Sequence, residues 1–316
     1  MKVVDHLAKA TKPLISFEIL PLQRGGDINV LFNSIEKLLK YEPPFIDVTS
    51  HPSQVYYVET PKGISKKVMR KRPGTIGISV AIKNKFNIDT VPHILCNGFT
   101  KEETEDALIE LNYLGIENIL AIRGDELSFK KPVPEGRTSN IYSTELVKQI
   151  VNMNAGHYLE EDLLDAAPTN FCIGISGYPE KHFEAPNINS DIKIAKEKID
   201  LGAHYIVTQM FFRNKYYLDY VDKCRAAGIN VPVIPGLKIL TSKNHLNSIP
   251  KNFFVEIPDE FSNEIQEAKP EHVIDIGVEW AFKQSEELLN KGAPSLHFYI
   301  MQSSKPIEKL MKKLNI

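Results

Sequence analysis

The sequence predicts an α/β fold in which eight short parallel strands alternate with helices and close into a barrel. Four helix-like stretches end at a glycine, and a short, largely apolar run of residues that favour β-strands follows each of them within about a dozen residues. Four more runs of this kind occur elsewhere in the chain, which makes eight. Each run is too short for a helix and too apolar for an exposed loop, which is typical of buried parallel strands.

The predicted strands, in chain order, are 14–18, 45–49, 91–95, 119–122, 172–178, 205–209, 231–234 and 296–300. Four of the predicted helices end at Gly115, Gly202, Gly228 and Gly292. The clearest one precedes Gly115, because Thr100 and Glu103 have the spacing of a capping box and leucines follow at helical spacing. Similar apolar stripes predict helices over 31–39 and 273–280.

Parallel strands need crossover connections, and closing the sheet removes both exposed edges. The pattern therefore favours a (β/α)8 TIM barrel, a single domain with loop insertions, over the alternative of an open doubly wound sheet. Two regions exceed a minimal barrel and are predicted to be insertions. They are 75–82, predicted to be an extra strand, and 127–170, predicted to contain one helix over about 143–152.

The composition is that of a globular protein with a large core, since 42% of the residues are apolar and 25% are charged. The 38 basic and 40 acidic residues nearly cancel, which argues against a nucleic-acid-binding protein. No signal peptide or long apolar run occurs, so we expect a cytoplasmic protein without membrane partners. Cys96, Cys172 and Cys224 are far apart and are predicted to be reduced thiols in packing roles.

Sequence motifs argue against several kinds of site. Neither GxGxxG nor GxxxxGK[ST] occurs, so a Rossmann domain or a P-loop is not expected. No HExxH or HxH spacing occurs, and His93 and His182 lie on different predicted elements, so no metal site is expected. The basic stretch 66–72 could attract an anionic substrate tail, but a solvated helix face is the favoured interpretation.

In a barrel, functional side chains gather where strands end and the following loops begin. The residues at these positions are Glu18, Thr49, His93, Arg123, Gly124, Asp125, Tyr178, Gln209 and Tyr299. So many polar strand ends at one mouth predict a functional site there.

Glu18 is predicted to be a general acid, because its apolar neighbours Phe17 and Ile19 disfavour the charged carboxylate. The alternative is a glutamate in a salt bridge at the barrel rim. Gln209, which Met210 follows, suits a ring with a hydrogen-bonding edge. A buried glutamine bonded to the backbone remains the alternative there.

Arg123 and Asp125 flank Gly124, which lets the backbone approach a ligand closely. Together they could bracket a polar heterocycle, and the alternative is a structural ion pair between the two. Further along the chain, His182 and Lys198 are predicted to hydrogen bond to phosphate or ribose.

Taken in order, these residues resemble the 5,10-methylenetetrahydrofolate reductase family, bacterial type, over nearly the whole chain. The matching landmarks are SerPheGlu 16–18, AspValThr 47–49, ProHis 92–93, ArgGlyAsp 123–125, TyrProGluLysHis 178–182, ThrGln 208–209, IleProGly 234–236 and HisPheTyr 297–299. Each landmark is weak alone, and their order along one barrel-like chain is specific.

The resemblance implies a flavoprotein oxidoreductase of one-carbon metabolism and methionine biosynthesis, with 1–316 as a single flavin-binding catalytic domain. NADH or NADPH would reduce bound FAD and leave. Methylenetetrahydrofolate would then take the hydride in the same site and become 5-methyltetrahydrofolate. A homo-oligomer is implied as well. Because the chain ends soon after the last predicted strand, the regulatory domain of larger eukaryotic relatives, and control by S-adenosylmethionine, are not expected.

The resemblance also implies roles for individual residues. Glu18 matches the acid that helps open the folate's five-membered ring, and it contacts that substrate. Asp125 matches the second catalytic group, a carboxylate near the flavin's pyrimidine edge, and Gln209 matches a pterin contact. The positions that match FAD-binding residues are Thr49, His93, Arg123, Gly124, Asp125, Tyr178, His182, Asp191 and Lys198.

Some positions depart from the family pattern. Ile19 and Leu20 stand where two phenylalanines are usual, and an aromatic stacking residue after the seventh strand has no match in 237–243. The preference for NADH or NADPH stays open. Two other classes also stay open. One is a flavin-free barrel lyase or aldolase, for which no strand-end Schiff-base lysine or metal ligand set stands out. The other is a non-catalytic flavin- or folate-binding protein.

Overall fold

Parallel strands form the wall of a barrel in the computed structural model, which describes residues 1–124, 131–301 and 303–316. The strands are β1 Leu14–Ile19, β2 Phe45–Val48, β3 Gln54–Thr60, β4 Gly63–Met69, β5 Asp89–Leu95, β6 Asn118–Ile122, β7 Cys172–Gly177, β8 Tyr205–Thr208, β9 Val233–Ile234, β10 Gly236–Leu237 and β11 Ser295–Met301. The helices are α1 Val3–Lys9, α2 Ile28–Glu36, α3 Thr75–Phe86, α4 Lys101–Tyr113, α5 Ser143–Asn154, α6 Ile188–Leu201, α7 Asn214–Ala226, α8 His245–Phe253, α9 Asp259–Glu267, α10 Val273–Asn290 and α11 Lys305–Leu314.

The sheet runs in the order β10-β11-β1-β2-β5-β6-β7-β8-β9, with every neighbouring pair parallel. The strands β9 and β10 are two halves of one segment interrupted at Pro235, and β9 pairs with β8 while β10 pairs with β11. The ladder therefore closes almost completely. This confirms the predicted (β/α)8 barrel and its eight strands.

The predicted helix ends are also confirmed. Gly115, Gly202, Gly228 and Gly292 follow α4, α6, α7 and α10 and have positive φ. The capping box of α4 is present: the Thr100 hydroxyl accepts from the backbone N–H of Glu103 at 3.1 Å, and the Glu103 carboxylate accepts from the backbone N–H of Thr100 at 3.0 Å. These caps satisfy backbone groups that a helix end leaves without partners.

Residues 75–82 belong to helix α3, so the predicted extra strand was wrong. The β-branched residues favour a strand locally, yet the buried side chains of this helix recur at helical spacing. They are Thr75, Ile78, Ser79 and Ile82. Because this face packs on β2 and β5, tertiary contacts decide the conformation. The helix is the ordinary crossover between those two strands.

The insertion in this region is instead an antiparallel hairpin of β3 and β4, which the sequence did not predict. Most residues of both strands are exposed, so the hairpin has no buried apolar face that would mark it in the sequence. The basic stretch 66–72 lies on β4 and just after it, not on the helix face that was favoured. Alternating side chains of a strand put Lys66 and Lys67 on opposite faces.

The helix predicted within 127–170 is confirmed as α5. It connects β6 to β7 and packs against β6 and α6, so it is a crossover helix of the barrel and not an insertion. The remainder of the described part of this region is a loop without strands.

Strand side chains alternate between two layers. The outward layer packs against the helices and includes Phe17, Val48 and Ile206. The inward layer is apolar in one cluster, which consists of Phe45, Val91, Leu120, Cys172, Tyr205, Val207 and Ile234 together with Val3 of α1. Polar inward side chains lie nearer the carboxyl ends of the strands. Cys96, Cys172 and Cys224 are buried free thiols, as predicted. Over the ranges described, no helix combines the length and apolar character needed to cross a membrane.

Candidate active site

Three acid–base groups meet inside the barrel near the carboxyl ends of β1, β2 and β5. Glu18 and Asp47 are paired in the parallel ladder, so their side chains point to the same face. His93 lies beside both: its Nε2 is 3.5 Å from Glu18 Oε2 and 3.5 Å from Asp47 Oδ2. The side chains of Glu18, Asp47 and His93 are only 15%, 1% and 5% exposed.

Burial changes the protonation of all three groups. It raises the pKa of Glu18 to about 7, which His93 and Lys238 oppose and Asp47 reinforces. It also raises the pKa of Asp47 to about 7, against a lowering effect of His297. It lowers the pKa of His93, so the imidazole is neutral at neutral pH. Glu18 can therefore hold or release a proton near neutral pH, as a general acid must.

Several buried polar atoms of this layer have no hydrogen-bond partner among the described residues. They are both carboxylate oxygens of Asp47, Nε2 of His93 and Nε2 of His297. The other ring nitrogen of His297 is hydrogen bonded to the Ser16 hydroxyl at 2.9 Å. Because buried polar groups in native proteins are nearly always paired, this concentration marks a functional layer.

A tyrosine and a lysine border Glu18 on its other side. Tyr299 of β11 is paired with Glu18 in the ladder, and its hydroxyl donates to the Thr208 carbonyl at 2.6 Å. Lys238 follows β10, and its Nζ donates to the Tyr299 carbonyl at 2.7 Å. Burial lowers the pKa of Lys238 to about 8, although the charge of Glu18 raises it.

A cavity of about 470 Å³ lies among the loops that follow β6 and β7 and the start of α6. It is lined by five of the predicted cofactor residues, Arg123, Tyr178, His182, Asp191 and Lys198. The imidazole of His182 packs edge-on against the ring of Tyr178, with centroids 4.7 Å apart. The structure thus brings together residues as far apart in the sequence as Arg123, which follows β6, and Lys198, which lies in α6.

Charged side chains of both signs line this cavity: two cations, Arg123 and Lys198, and three acids, Glu184, Asp191 and Glu197. Lys198 is only 7% exposed, and its ammonium forms no hydrogen bond or ion pair with a described residue. Burial lowers its pKa, with Asp191 opposing. The carboxylate of Asp191 accepts from the backbone N–H of His182 at 2.5 Å, and Arg123 donates to Glu184 at 2.6 Å. Because Glu184 and Asp191 already accept hydrogen bonds from the protein, the ammonium of Lys198 suits an anionic, phosphate-bearing ligand.

The remaining predicted residues differ in their placement. The Thr49 hydroxyl is 3.1 Å from Nε2 of His51, and Gly124 has φ +85°, a backbone conformation that side chains disfavour. The side-chain oxygen of Gln209 accepts from the backbone N–H that follows it at 2.9 Å, which agrees with the backbone-bonded alternative. Asp125 lies outside the described residues.

Sequence reasoning missed Asp47 and Lys238 as members of the site. Asp47 has a signal in the sequence, because it is a single acid between Ile46 and Val48 in an otherwise apolar strand. Attention to strand ends alone passed over it. Lys238 is a strand-end lysine of the kind that the sequence was said not to offer. It lies four residues beyond the predicted strand 231–234 and directly after the observed strand β10.

Comparison with known proteins identifies relatives of the whole chain. Methylenetetrahydrofolate reductase 1 of Schizosaccharomyces pombe is 31% identical over all of this chain, which spans 49% of that relative. The chain therefore spans about half the length of the eukaryotic relatives it matches. The 5,10-methylenetetrahydrofolate reductase of Escherichia coli is 26% identical, with 91% of this chain and 86% of that protein covered.

A solved structure has the same fold. It is an uncharacterized protein from Clostridium thermocellum that binds two copies of 5-methyl-5,6,7,8-tetrahydrofolic acid, with a TM-score of 0.57, 13% identity, and 98% and 96% of the two chains covered. A family model described as methylenetetrahydrofolate reductase matches residues 2–315. The described barrel, its buried glutamate and this match over nearly every residue lead to one conclusion: the chain belongs to the methylenetetrahydrofolate reductase family.

Proposed function

We propose that this protein reduces 5,10-methylenetetrahydrofolate to 5-methyltetrahydrofolate with electrons from NADH or NADPH, using FAD as a bound cofactor. The observation that carries the proposal is Glu18, a carboxyl with a pKa of about 7 inside the barrel near the strand carboxyl ends. The reaction needs an acid that is partly protonated at neutral pH, and an ordinary exposed glutamate is not. Family membership supports the choice of substrate.

The residues present fit FAD. Lys198 and Arg123 line the 470 Å³ cavity and would bind the cofactor's phosphates, with His182 beside them. A buried ammonium without a hydrogen bond in the described structure is the observation that supports this assignment, because a buried charge is costly unless it is paired. Tyr178, Asp191, Thr49, His93 and Gly124 complete the proposed FAD site. When bound, FAD would accept a hydride from the nicotinamide and supply it to the folate carbon.

Glu18 has the central role among the protein's own groups. It donates its proton to a ring nitrogen of methylenetetrahydrofolate, the carbon–nitrogen bond breaks, and the methylene carbon becomes an iminium cation. The carboxylate that remains stabilises this cation in a site where burial strengthens charge interactions. Gln209 binds the pterin through its amide. We propose that the two substrates use the mouth of the barrel in turn, in a ping-pong order, as a single-domain flavoenzyme requires when one site serves both.

An anaerobic titration tests the cofactor and the order of events together. Purified protein, reconstituted with FAD where necessary, should lose its visible flavin absorption when NADH or NADPH is added. It should regain that absorption when methylenetetrahydrofolate follows. Protein that is colourless and takes up no flavin on reconstitution contradicts the proposal. Bleaching without recovery leaves a flavin protein with a different oxidant.

Replacing Lys198 by methionine should weaken FAD binding by about 10- to 100-fold, the value of one lost charge-assisted hydrogen bond. Titration of the apoprotein with FAD, followed by flavin fluorescence, measures the dissociation constant. Lys193→Met is the matched control, because Lys193 is an exposed lysine on the same helix. Equal dissociation constants for the two variants would remove Lys198 from the proposed FAD site.

A flavin-free aldolase or lyase is the second candidate, and Lys238 is the observation that favours it. A buried lysine with a pKa lowered to about 8 at a strand end is suited to form a Schiff base with a carbonyl substrate. No cluster of three or more possible metal ligands exists in the ranges that the structure covers, so a metal-dependent version gains no support. Borohydride reduction in the presence of a carbonyl substrate, followed by mass spectrometry, would detect a covalent adduct on Lys238.

A further inference from the structure

Glu18 is flanked along the barrel wall by groups of opposite charge. On the β2 side stands Asp47, its partner in the ladder. On the β11 side stands Tyr299, also its ladder partner, whose carbonyl holds the ammonium of Lys238 at 2.7 Å. The proposed acid is therefore bordered by a carboxylate on one side and a cation on the other.

Asp47 has no structural role that its contacts explain. It is 1% exposed, and neither of its oxygens receives a hydrogen bond from a described residue. A buried carboxylate in this condition destabilises the fold unless it serves another purpose. It is too deeply buried for contact with a substrate at the mouth, and it shares the neighbour His93 with Glu18, since Nε2 of His93 is 3.5 Å from each carboxyl group. Any effect of Asp47 on the reaction must therefore pass through its neighbours.

Lys238 is similarly placed to act through Glu18. Its single hydrogen bond in the described structure is to a backbone carbonyl, which does not neutralise its charge. The charge of Glu18 acts on it, and its charge acts on Glu18 in turn. A neutral side chain of similar length could make the same hydrogen bond, so structure alone does not account for the ammonium.

We propose that Asp47 and Lys238 are positioning residues that set the proton occupancy of Glu18 from opposite sides. Asp47 acts from the neighbouring strand β2, and Lys238 acts from the end of β10, where it is bound to β11. This inference rests on the proposed function, in which Glu18 is the acid. Ionised Asp47 makes a second negative charge at Glu18 unfavourable and so keeps the proton on it. The ammonium of Lys238 favours the carboxylate and so makes the proton available for release.

The electrostatic distances are short enough for a measurable effect. Oε2 of Glu18 and Oδ2 of Asp47 are at most about 7 Å apart, since both lie 3.5 Å from one nitrogen. A like charge at this range in a partly shielded interior shifts a titration by about one pH unit. The other titratable side chains near this cluster are His93 of β5, Tyr205 of β8 and His297 and Tyr299 of β11. The carboxyls are coupled, so they titrate as a pair.

Two variants with opposite predicted signs test the proposal. The alkaline limit is the pH above which the folate half-reaction slows because Glu18 loses its proton. Asp47→Asn removes the like charge and should lower this limit by about one pH unit. The rate at pH 8 should then fall about tenfold. Lys238→Gln keeps a hydrogen-bond donor, removes the cation and should move that limit up by about half a unit or more. A residue with only a structural role would lower the rate without moving the limit, and two such residues would not move it in opposite directions.

Controls separate this inference from the proposed function. Lys243→Gln also removes a lysine that donates to a backbone carbonyl, but away from Glu18, and should leave the limit unchanged. Asp47→Glu retains the carboxylate and should restore the wild-type limit. The carbon-13 shift of the Glu18 carboxyl, followed against pH without substrates and assigned by its loss in Glu18→Gln, should show the same opposite shifts.

The carbon-13 titration of Glu18 tests its charge coupling to Asp47 and Lys238 without any substrate. If the protein does not reduce folate, the proposed function fails, but this titration still tests the inference. If Asp47→Asn does not fold, the sign of the Lys238→Gln shift still decides. The proposal would be overturned if the midpoint of the Glu18 titration stays at the wild-type value in both variants, or moves in the same direction in both.

Discussion

Glu18→Gln should suppress the folate half-reaction by about 10²- to 10⁴-fold and leave reduction of the flavin by the nicotinamide largely intact. The amide is nearly isosteric with the carboxyl but carries no proton that it can release, and general acid catalysis contributes a factor of this size. Stopped-flow absorbance under anaerobic conditions measures the two half-reactions separately. The unequal loss is expected because hydride transfer to the flavin needs no proton from this side chain.

Glu180→Gln is a matched control for this experiment. Burial also raises the pKa of Glu180 to about 7, but Glu180 lies on the loop after β7 and accepts a hydrogen bond from the backbone N–H of Glu256 at 2.7 Å. Its replacement should leave both half-reactions largely unchanged. If Glu18→Gln slows both half-reactions equally, Glu18 is not the acid, and its role is in binding or structure.

Gly277→Ala should lower the free energy of unfolding by about 3 kcal/mol or more, the largest stability change that we expect from a single added methyl group. Gly277 is buried in α10, and a Cβ atom there would stand 1.9 Å from the carbonyl oxygen of Leu240. A backbone carbonyl cannot rotate away as a flexible side chain can, so the helix or the segment after β10 must shift. Urea unfolding monitored by circular dichroism measures the difference.

Gly77→Ala provides the opposite result with the same chemical change. Gly77 lies in α3, is exposed, and has no atom within 4 Å of the position that a Cβ would take. Alanine has the higher helix propensity, so this variant should gain about 1 kcal/mol. Equal effects of the two substitutions would show that helix propensity, and not the close approach of α10 to Leu240, controls stability at Gly277.

The barrel was predictable because its strands are buried on both faces. Such strands appear in the sequence as short, nearly continuous apolar runs, and glycines mark the ends of the helices between them. The errors have one physical origin, which is the contest between local preference and tertiary packing. Five of the eight residues 75–82 are β-branched and favour a strand, yet the buried positions repeat at helical spacing because β2 and β5 cover that face. The β3–β4 hairpin buries little, so no apolar pattern revealed it.

The site was predictable only in part. Polar residues at strand ends pointed to Glu18, His93 and Arg123, since a barrel collects those positions at one mouth. Asp47 lies one position before the end of its strand, and only the ladder pairing with Glu18 shows that it belongs to the same layer. The sequence also cannot show that Lys238 reaches the carbonyl of Tyr299, because that contact joins residues 61 positions apart.

The β3–β4 hairpin is a peripheral insertion that is not part of the barrel sheet. Its two strands pair only with each other, and most of their residues face solvent. A two-stranded ribbon of this kind adds little to the stability of a domain. Evolution can lengthen, shorten or replace it while the ring of parallel strands, and the acid held within that ring, remain as they are.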